Sequence, residues 1–229
     1  MYNLVWKDFL LLKRFLWVAL LYGFAAPLAF KTMQGGALSA ATVGTTYMLM
    51  IQACTQDDKN KSEIMLNSLP LRRRDIVAAK YLSVFLYAIP AILSFFFAQL
   101  VVSVTGIPIT IYQISLEGIA GALVAMAVLM SIYFPIYFKF GYLRSRMVGM
   151  FLFFACFFFV PMAVALTVHG LEGMGNPTLR NIAVVVQRVL GWLLTQADWQ
   201  IACYLLALSL VLMIASACLS LRFYSKREF

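Results

Sequence analysis

The chain offers very few side chains from which an active site could be built. Its one histidine, His169, lies near Glu172, and two such ligands are too few for a catalytic zinc ion, which takes three from the protein. Neither a His-Glu-x-x-His sequence nor a Gly-x-Ser-x-Gly sequence occurs. The cysteines all lie in apolar runs, where small hydrophobic packing is expected; they are Cys54, Cys156, Cys203 and Cys218. We therefore predict no catalytic residue and no metal site.

The chain also lacks a loop that could hold the phosphates of ATP. Such a loop has the form Gly-x-x-x-x-Gly-Lys-Ser/Thr, and its backbone amides and lysine bind the phosphates. No Gly-Lys pair occurs anywhere in this sequence. We therefore expect that no cofactor is bound directly and that the chain does not hydrolyse ATP by itself.

The longest strongly polar stretch, residues 57–75, has the features of a docking segment. Ser62 is a good N-cap for a short helix that Pro70 would end, and Asp75 would cap the next helix. Apolar side chains would form a ridge on the short helix, at Ile64, Met65, Leu66 and Leu69. Such a ridge fits a groove in a partner protein. The residues alone also allow a solvated loop, whose arginines only follow the charge rule for cytoplasmic loops.

The elements that position this stretch are predicted to be membrane-spanning helices. The chain of 229 residues is 63% hydrophobic and 12% charged, far below the charged share of about 25% in soluble domains. A spanning helix needs about 20 mostly apolar residues. Six stretches qualify, at 15–31, 32–56, 76–105, 115–138, 147–168 and 199–221. We predict an all-α membrane protein with six transmembrane helices in one domain, residues 1–229.

The basic residues predict the orientation of these helices. With six spans, 15 of the 18 lysines and arginines fall on one side, and the others are Lys31, Arg180 and Arg188. Because lysine and arginine accumulate in cytoplasmic loops, both termini are predicted to be cytoplasmic. The net charge of +9 is explained in this way and indicates no nucleic acid partner.

Two amphipathic segments complete the predicted topology. Residues 1–14 are expected to form an interfacial helix before the first span. Residues 178–196 are expected to form an amphipathic or re-entrant helix on the outer side, and their arginines argue against the alternative of a seventh span. Apart from Lys31, the last residue of the first span, only Lys80 and Glu117 are charged within the spans, each near an end. Ion-coupled transporters usually carry ionisable residues at mid-membrane, so this pattern favours movement driven from the cytoplasmic side.

Residues 63–81 have the form Glu-x-x-Leu-x-Ser-Leu-Pro-x-x-Arg-x-Asp-Ile-Val-x-x-Lys-Tyr. This run closely resembles the first cytoplasmic loop of type-2 ABC exporter permeases, especially short bacterial subunits that pair with a separate ATPase. The likeness covers the whole chain: a basic amphipathic start, six spans and extra outer helical structure before the last span. It implies a coupling helix that contacts the ATP-binding subunit through Glu63, Ile64, Met65, Leu66, Ser68, Leu69, Pro70, Arg72, Arg73 and Arg74. A second contact would involve Lys139, Arg144 and Arg146.

The same resemblance implies the partners and the activity. Two permeases would form a homodimer or a heterodimer among the lipids of the bacterial plasma membrane, and two ATP-binding subunits carrying ATP and magnesium would bind them. Closing of the ATPase pair would push the coupling helices and export a hydrophobic or amphipathic cargo, with peptides as the favoured class. The alternatives are a channel, an ion-coupled carrier or a membrane scaffold that acts without an ATPase. An intramembrane enzyme is disfavoured by the missing catalytic set.

Overall fold

The computed structural model describes residues 15–29, 36–61, 72–105, 115–169, 188, 191 and 196–226. Six α-helices hold most of these residues: α1 Leu16–Ala29, α2 Gly36–Lys59, α3 Arg73–Thr105, α4 Leu116–Phe140, α5 Tyr142–His169 and α6 Asp198–Lys226. The described residues form no β-strand, so the prediction of an all-α fold is confirmed for this part of the chain.

Several of the described helices are long and apolar enough to cross a membrane. Four meet this criterion, over Ala37–Lys59, Arg73–Thr105, Leu116–Phe140 and Asp198–Lys226. The apolar part of α1 is shorter, Trp17–Ala26. The total of six spans and the side on which the termini lie stay predictions. The predicted amphipathic segments 1–14 and 178–196 lie outside the described residues, apart from positions 188, 191 and 196.

The helices on either side of the polar stretch extend further into it than the predicted spans do. Helix α2 continues to Lys59, and α3 begins at Arg73, so both ends of the predicted loop 57–75 are helical. Asp75 therefore lies inside the first turn of α3, not at its N-cap position. A cation in the last turn of a helix and a carboxylate in the first turn both interact favourably with the helix dipole. Lys59 and Asp75 follow this rule, but Asp57, Asp58, Arg73 and Arg74 carry the opposite charge, so the extension depends on contacts with other helices.

The interior of the bundle is built around α4 and α6, which pack together most extensively and run parallel. Near one end the rings of Phe138 and Tyr224 lie 5.3 Å apart. Two turns towards the N-terminal ends of both helices, the Ser216 hydroxyl donates to the Ser131 carbonyl at 2.6 Å. The largest fully buried side chains nearby are aromatic, among them Tyr87, Tyr133 and Phe134.

A chain of hydroxyl groups joins α3 to this pair. The Tyr81 hydroxyl lies 2.7 Å from the Ser216 hydroxyl and 2.8 Å from the Ser220 hydroxyl. Because the one proton of Ser216 goes to the Ser131 carbonyl, Tyr81 must donate to Ser216 and accept from Ser220. The hydroxyls of Ser220, Tyr81 and Ser216 thus each donate to the next acceptor in a chain that ends at the Ser131 carbonyl and connects three helices. Each of these buried donors has a hydrogen-bond partner, as a low-dielectric interior requires.

Glycines allow two of the closest helix contacts. A Cβ atom at Gly23 of α1 would lie 2.7 Å from the Ser94 carbonyl oxygen of α3. A Cβ atom at Gly149 of α5 would lie 2.8 Å from ring carbons of Tyr133 and 3.0 Å from the Tyr47 hydroxyl. At both positions only glycine lets the neighbouring helix approach this closely, which is the usual packing of helices in membranes.

The surface of the bundle is apolar and part of its interior is polar. Large apolar side chains such as Leu93, Val211 and Ile214 are more than half exposed. By contrast, Thr42 and Thr45 of α2 are completely buried. Exposed apolar surface of this extent is unusual for a protein in water, whereas small and polar residues are typical of helix interfaces within a membrane. The packing therefore supports the bilayer as the solvent.

Candidate functional site

The basic residues of the bundle gather at one end. Residue pairs in contact show that α2, α4 and α6 run in one direction and α3 and α5 in the other. We call the end that holds the last turns of α2, α4 and α6 and the first turns of α3 and α5 the basic end. Every lysine and arginine within these five helices lies there, whereas Glu117 and Asp198 lie in first turns at the opposite end. The basic end is therefore the candidate site.

The central part of the predicted coupling helix, including Glu63, Ile64, Met65, Leu66, Ser68, Leu69 and Pro70, lies outside the described residues. The structure describes how the chain leaves α2 and enters α3. Lys61 adopts a left-handed backbone conformation with φ of 49°, and its amide donates to the Asp58 carbonyl at 3.1 Å. On the other side the Asp75 amide donates to the Arg72 carbonyl at 2.8 Å. The chain thus has a defined backbone geometry on either side of segment 62–71.

A buried ion pair fastens those two ends together. The Lys80 ammonium nitrogen of α3 lies 2.5 Å from an Asp57 carboxylate oxygen of α2. The two side chains are 9% and 4% exposed. Breaking a buried pair by removing one partner costs roughly 3–5 kcal/mol, because the other charge is left without compensation. The helices on either side of segment 62–71 are therefore joined by a contact that is costly to open.

Arg73 forms a second connection, from the start of α3 to the end of α6. Its guanidinium donates to the Tyr224 carbonyl at 3.1 Å and to the Ser225 carbonyl at 3.0 Å. It also lies over the Tyr224 ring, 5.8 Å from the ring centre. The last carbonyls of a helix have no partners within the helix and carry partial negative charge. Arg73 therefore stabilises the last turn of α6, whereas Arg72 and Arg74 are exposed beside it.

The second predicted contact lies at the break between α4 and α5. Gly141 takes a φ of 80° there, and its amide donates to the Tyr137 carbonyl at 2.9 Å, which ends α4. The Lys139 ammonium lies 5.0 Å from the centre of the Phe140 ring and 5.1 Å from that of the Phe223 ring of α6. Lys139 and Arg73 thus contact adjacent residues of α6 from different helices.

Helices α2 and α5 are also joined at the basic end. The Thr55 and Tyr142 hydroxyl groups lie 2.5 Å apart. The Thr55 hydroxyl also lies 2.7 Å from the Ile51 carbonyl, to which it donates. Since Thr55 has one proton, Tyr142 donates in their shared bond. The remaining predicted residues, Arg144 and Arg146, are exposed in the first turns of α5.

The sequence alone missed several residues of this site. Asp57 is predicted from the sequence to begin the cytoplasmic coupling loop 57–75, but it is a buried residue of α2. Phe223, Tyr224 and Ser225 were not assigned a role, although they receive Lys139 and Arg73. An aromatic pair next to basic residues at a helix end is a weak signal for such contacts, and Asp57 carried no signal that distinguished it from its neighbour Asp58.

The described residues contain no group of three or more histidine, cysteine, aspartate or glutamate side chains placed to hold a metal ion. His169 is the last residue of α5. What the basic end offers instead is a set of cationic side chains and helix ends that are joined to one another. The exposed cations of this end can bind anionic groups.

Comparison with known proteins identifies the family. The ABC-2 family transporter protein family matches residues 3–225, which is nearly the whole chain. No curated protein and no solved structure matches this chain. The family match agrees with the apolar helices of the described part of the chain. This multi-pass membrane protein therefore belongs to the ABC-2 transporter family, in which it is a permease subunit.

Proposed function

We propose that this chain is the permease of an ATP-driven exporter, and that a separate ATP-binding subunit moves it by pushing on residues 63–74. The basic end would face the cytoplasm, because lysine and arginine accumulate on that side of a membrane. ATP and magnesium would be bound by the partner, since the permease has no phosphate-binding loop. The permease would work as a homodimer or a heterodimer in the bacterial plasma membrane.

The observation that carries this proposal is the buried ion pair between Asp57 and Lys80. A flexible loop between two helices would absorb a push from a partner. Here the helices on either side of segment 62–71 are joined close to its ends, so a displacement of the segment moves α2 and α3 as one unit. This is the mechanical property that a coupling helix requires.

The other contacts of the basic end would spread this movement through the bundle. Arg73 joins α3 to the last turn of α6, and the hydroxyl pair of Thr55 and Tyr142 joins α2 to α5. Lys139 joins α4 to the same turn of α6. A push delivered between α2 and α3 would thus reach α4, α5 and α6 through direct contacts. Such a chain of packed and hydrogen-bonded elements can couple distant sites.

The character of the bundle supports an apolar or amphipathic cargo. Within the described parts of α2–α6, charged side chains are confined to the two ends. A path for a charged solute or a coupling ion usually needs ionisable residues near mid-membrane. We therefore infer a hydrophobic or amphipathic cargo, with peptides as the first class to test. Export from inverted membrane vesicles that contain the permease and its ATPase would measure this directly.

The decisive experiment is the substitution Leu69→Asp on the predicted ridge. A carboxylate placed in an apolar groove removes a buried anchor, and anchors of this kind contribute about 2 kcal/mol or more, which corresponds to roughly 30-fold in affinity. The tagged permease would be co-expressed with each ATP-binding cassette subunit of its genome that lacks spans of its own. We expect Leu69→Asp to abolish co-purification of the partner.

A matched control is Leu116→Asp, because Leu116 is exposed at the first residue of α4, at the opposite end of the bundle. An aspartate there favours the helix dipole and should leave partner binding and membrane insertion unchanged. Retention of the partner by Leu69→Asp would contradict the coupling role of segment 63–74. Transport by the permease reconstituted without any ATPase would favour a channel or an ion-coupled carrier instead.

A further inference from the structure

An open cavity lies at the basic end between the start of α3 and the last turns of α6. It has a volume of about 740 Å³ and is lined by four arginines, one serine and two apolar residues: Arg72, Arg73, Arg74, Arg222, Ser225, Cys218 and Leu221. The cavity therefore has a strongly cationic part and an apolar wall. A ligand that fills both parts must itself be amphipathic and anionic.

Part of the positive charge of the cavity is not engaged by other described residues. Arg73 is engaged with the end of α6, but Arg72, Arg74 and Arg222 are exposed. Among the residues that the structure describes, no carboxylate forms an ion pair with any of these three arginines. Guanidinium groups bind phosphate through pairs of parallel hydrogen bonds, which makes arginine the preferred residue for phosphate recognition. Three of them around one cavity form a site for a phosphate group.

The apolar wall continues along the membrane-facing side of α6. Val211, Ile214 and Cys218 are exposed and follow one another at helical spacing, and Arg222 is the next residue on this face. From Val211 to Arg222 the helix rises by about 16 Å. This is close to half of the apolar thickness of a bilayer, which is about 30 Å. A single face of α6 thus offers an apolar track one leaflet long that ends at an arginine.

From this juxtaposition we propose that the cavity binds an anionic phospholipid from the leaflet at the basic end. Its phosphate lies among Arg72, Arg74 and Arg222, and an acyl chain lies along Val211, Ile214 and Cys218. Basic pockets between transmembrane helices are suited to anionic headgroups. The acidic surface of a protein partner would use the arginines but leave the apolar track uncovered, so the track favours a lipid. The bound lipid would steady the junction of α3 and α6.

The test uses the purified full-length permease without any ATPase, so its outcome does not depend on the proposed coupling role. Binding of phosphatidylglycerol and of zwitterionic phosphatidylcholine would be measured by native mass spectrometry in detergent. Each arginine near an anionic headgroup contributes roughly fivefold in affinity. We expect Arg222→Gln to weaken phosphatidylglycerol binding about fivefold and Arg72→Gln/Arg74→Gln about 20- to 30-fold. Phosphatidylcholine has the same phosphate next to a choline cation, so we expect it to bind more weakly than phosphatidylglycerol and to lose less affinity in these variants.

Arg144→Gln is the matched control, because Arg144 is an exposed arginine at the same end but outside the cavity. A second, independent measurement uses two native cysteines of α6, since Cys203 and Cys218 are both exposed. Phosphatidylglycerol should slow maleimide labelling of Cys218 but not of Cys203, with each site quantified by peptide mass spectrometry. This measurement needs no substitution and therefore cannot fail through misfolding.

Three outcomes would overturn the proposal. An equal loss of lipid binding in Arg144→Gln would show general attraction between the basic end and anionic lipids. Inorganic phosphate that binds as tightly as phosphatidylglycerol, without slower labelling of Cys218, would show a site for free anions. Loss of ATPase association in Arg72→Gln/Arg74→Gln with unchanged phosphatidylglycerol binding would assign the cavity to the protein partner.

Discussion

The ion pair between Asp57 and Lys80 leads to the sharpest prediction, because both charges are buried and lie on different helices. Lys80→Met removes the ammonium group but keeps a long side chain, which leaves the Asp57 carboxylate without its cation. Asp57→Asn leaves the Lys80 ammonium in the same position. Asp58→Asn is the matched control, because Asp58 is the exposed neighbour of Asp57 on α2.

The expected magnitude follows from burial. The Asp57 and Lys80 side chains are 4% and 9% exposed, so water can solvate an unpaired charge only after local rearrangement. We expect each single substitution to lower the free energy of unfolding by about 3 kcal/mol, at the low end of the range for buried pairs, because the pair lies near the end of the bundle. The double variant Asp57→Asn/Lys80→Met removes both charges and should lose less than either single variant. Asp58→Asn should change stability by no more than about 0.5 kcal/mol.

The assay is equilibrium unfolding of the purified permease in mixed detergent micelles, with the wild type, the two single variants and the double variant compared as a double-mutant cycle. An interaction energy of about 2 kcal/mol or more between the two positions supports the buried pair. Additive effects of the two substitutions, or a loss below about 1 kcal/mol for Lys80→Met, would refute the reasoning. In the presence of the ATPase, single variants that remain folded should also show weaker coupling between ATP hydrolysis and transport.

Two further predictions concern packing inside the bundle. Gly149→Ala places a methyl group against the ring of Tyr133 and should destabilise the fold by about 1–3 kcal/mol. The control Gly121→Ala, with no atom within 4 Å of the added carbon, should be neutral or stabilising by up to about 1 kcal/mol. Equal melting temperatures for the two variants would contradict the close contact at Gly149. Tyr81→Phe breaks the hydroxyl chain between α3 and α6 and should cost about 1 kcal/mol in detergent unfolding, and an unchanged unfolding midpoint would show that these hydroxyls do not stabilise the junction.

Much of the candidate site could be predicted from local pattern. The polar stretch between the second and third apolar runs, with its Ser-Leu-Pro sequence and three arginines, is visible without any structure. The basic residues near 139–146 are equally visible. The contacts that join them were not predictable, because Arg73 and Tyr224 are separated by 151 positions and meet only through the arrangement of the helices.

The ends of the helices could not be predicted accurately from the sequence. The predicted spans followed the apolar runs, so Asp57 and Arg73 were placed in a loop. Helix α3 begins at Arg73, whose guanidinium binds the end of α6, and α2 continues through Asp57 because its carboxylate gains a buried partner in Lys80. The partner lies on another helix, and a search for apolar runs cannot detect it.

The sequence by itself determined the solvent, the helical class and the end of the bundle that carries positive charge, because composition and the spacing of charges are local properties. It could not determine which face of each helix is buried, since helices that are apolar all round have no polar side to mark the outside. Only the tertiary structure decided that residues such as Thr42, Ser83 and Tyr133 face inward while Leu93, Val211 and Ile214 face outward. Close approach and hydrogen bonding reward the first group at helix contacts, whereas the lipid accommodates the second at no cost.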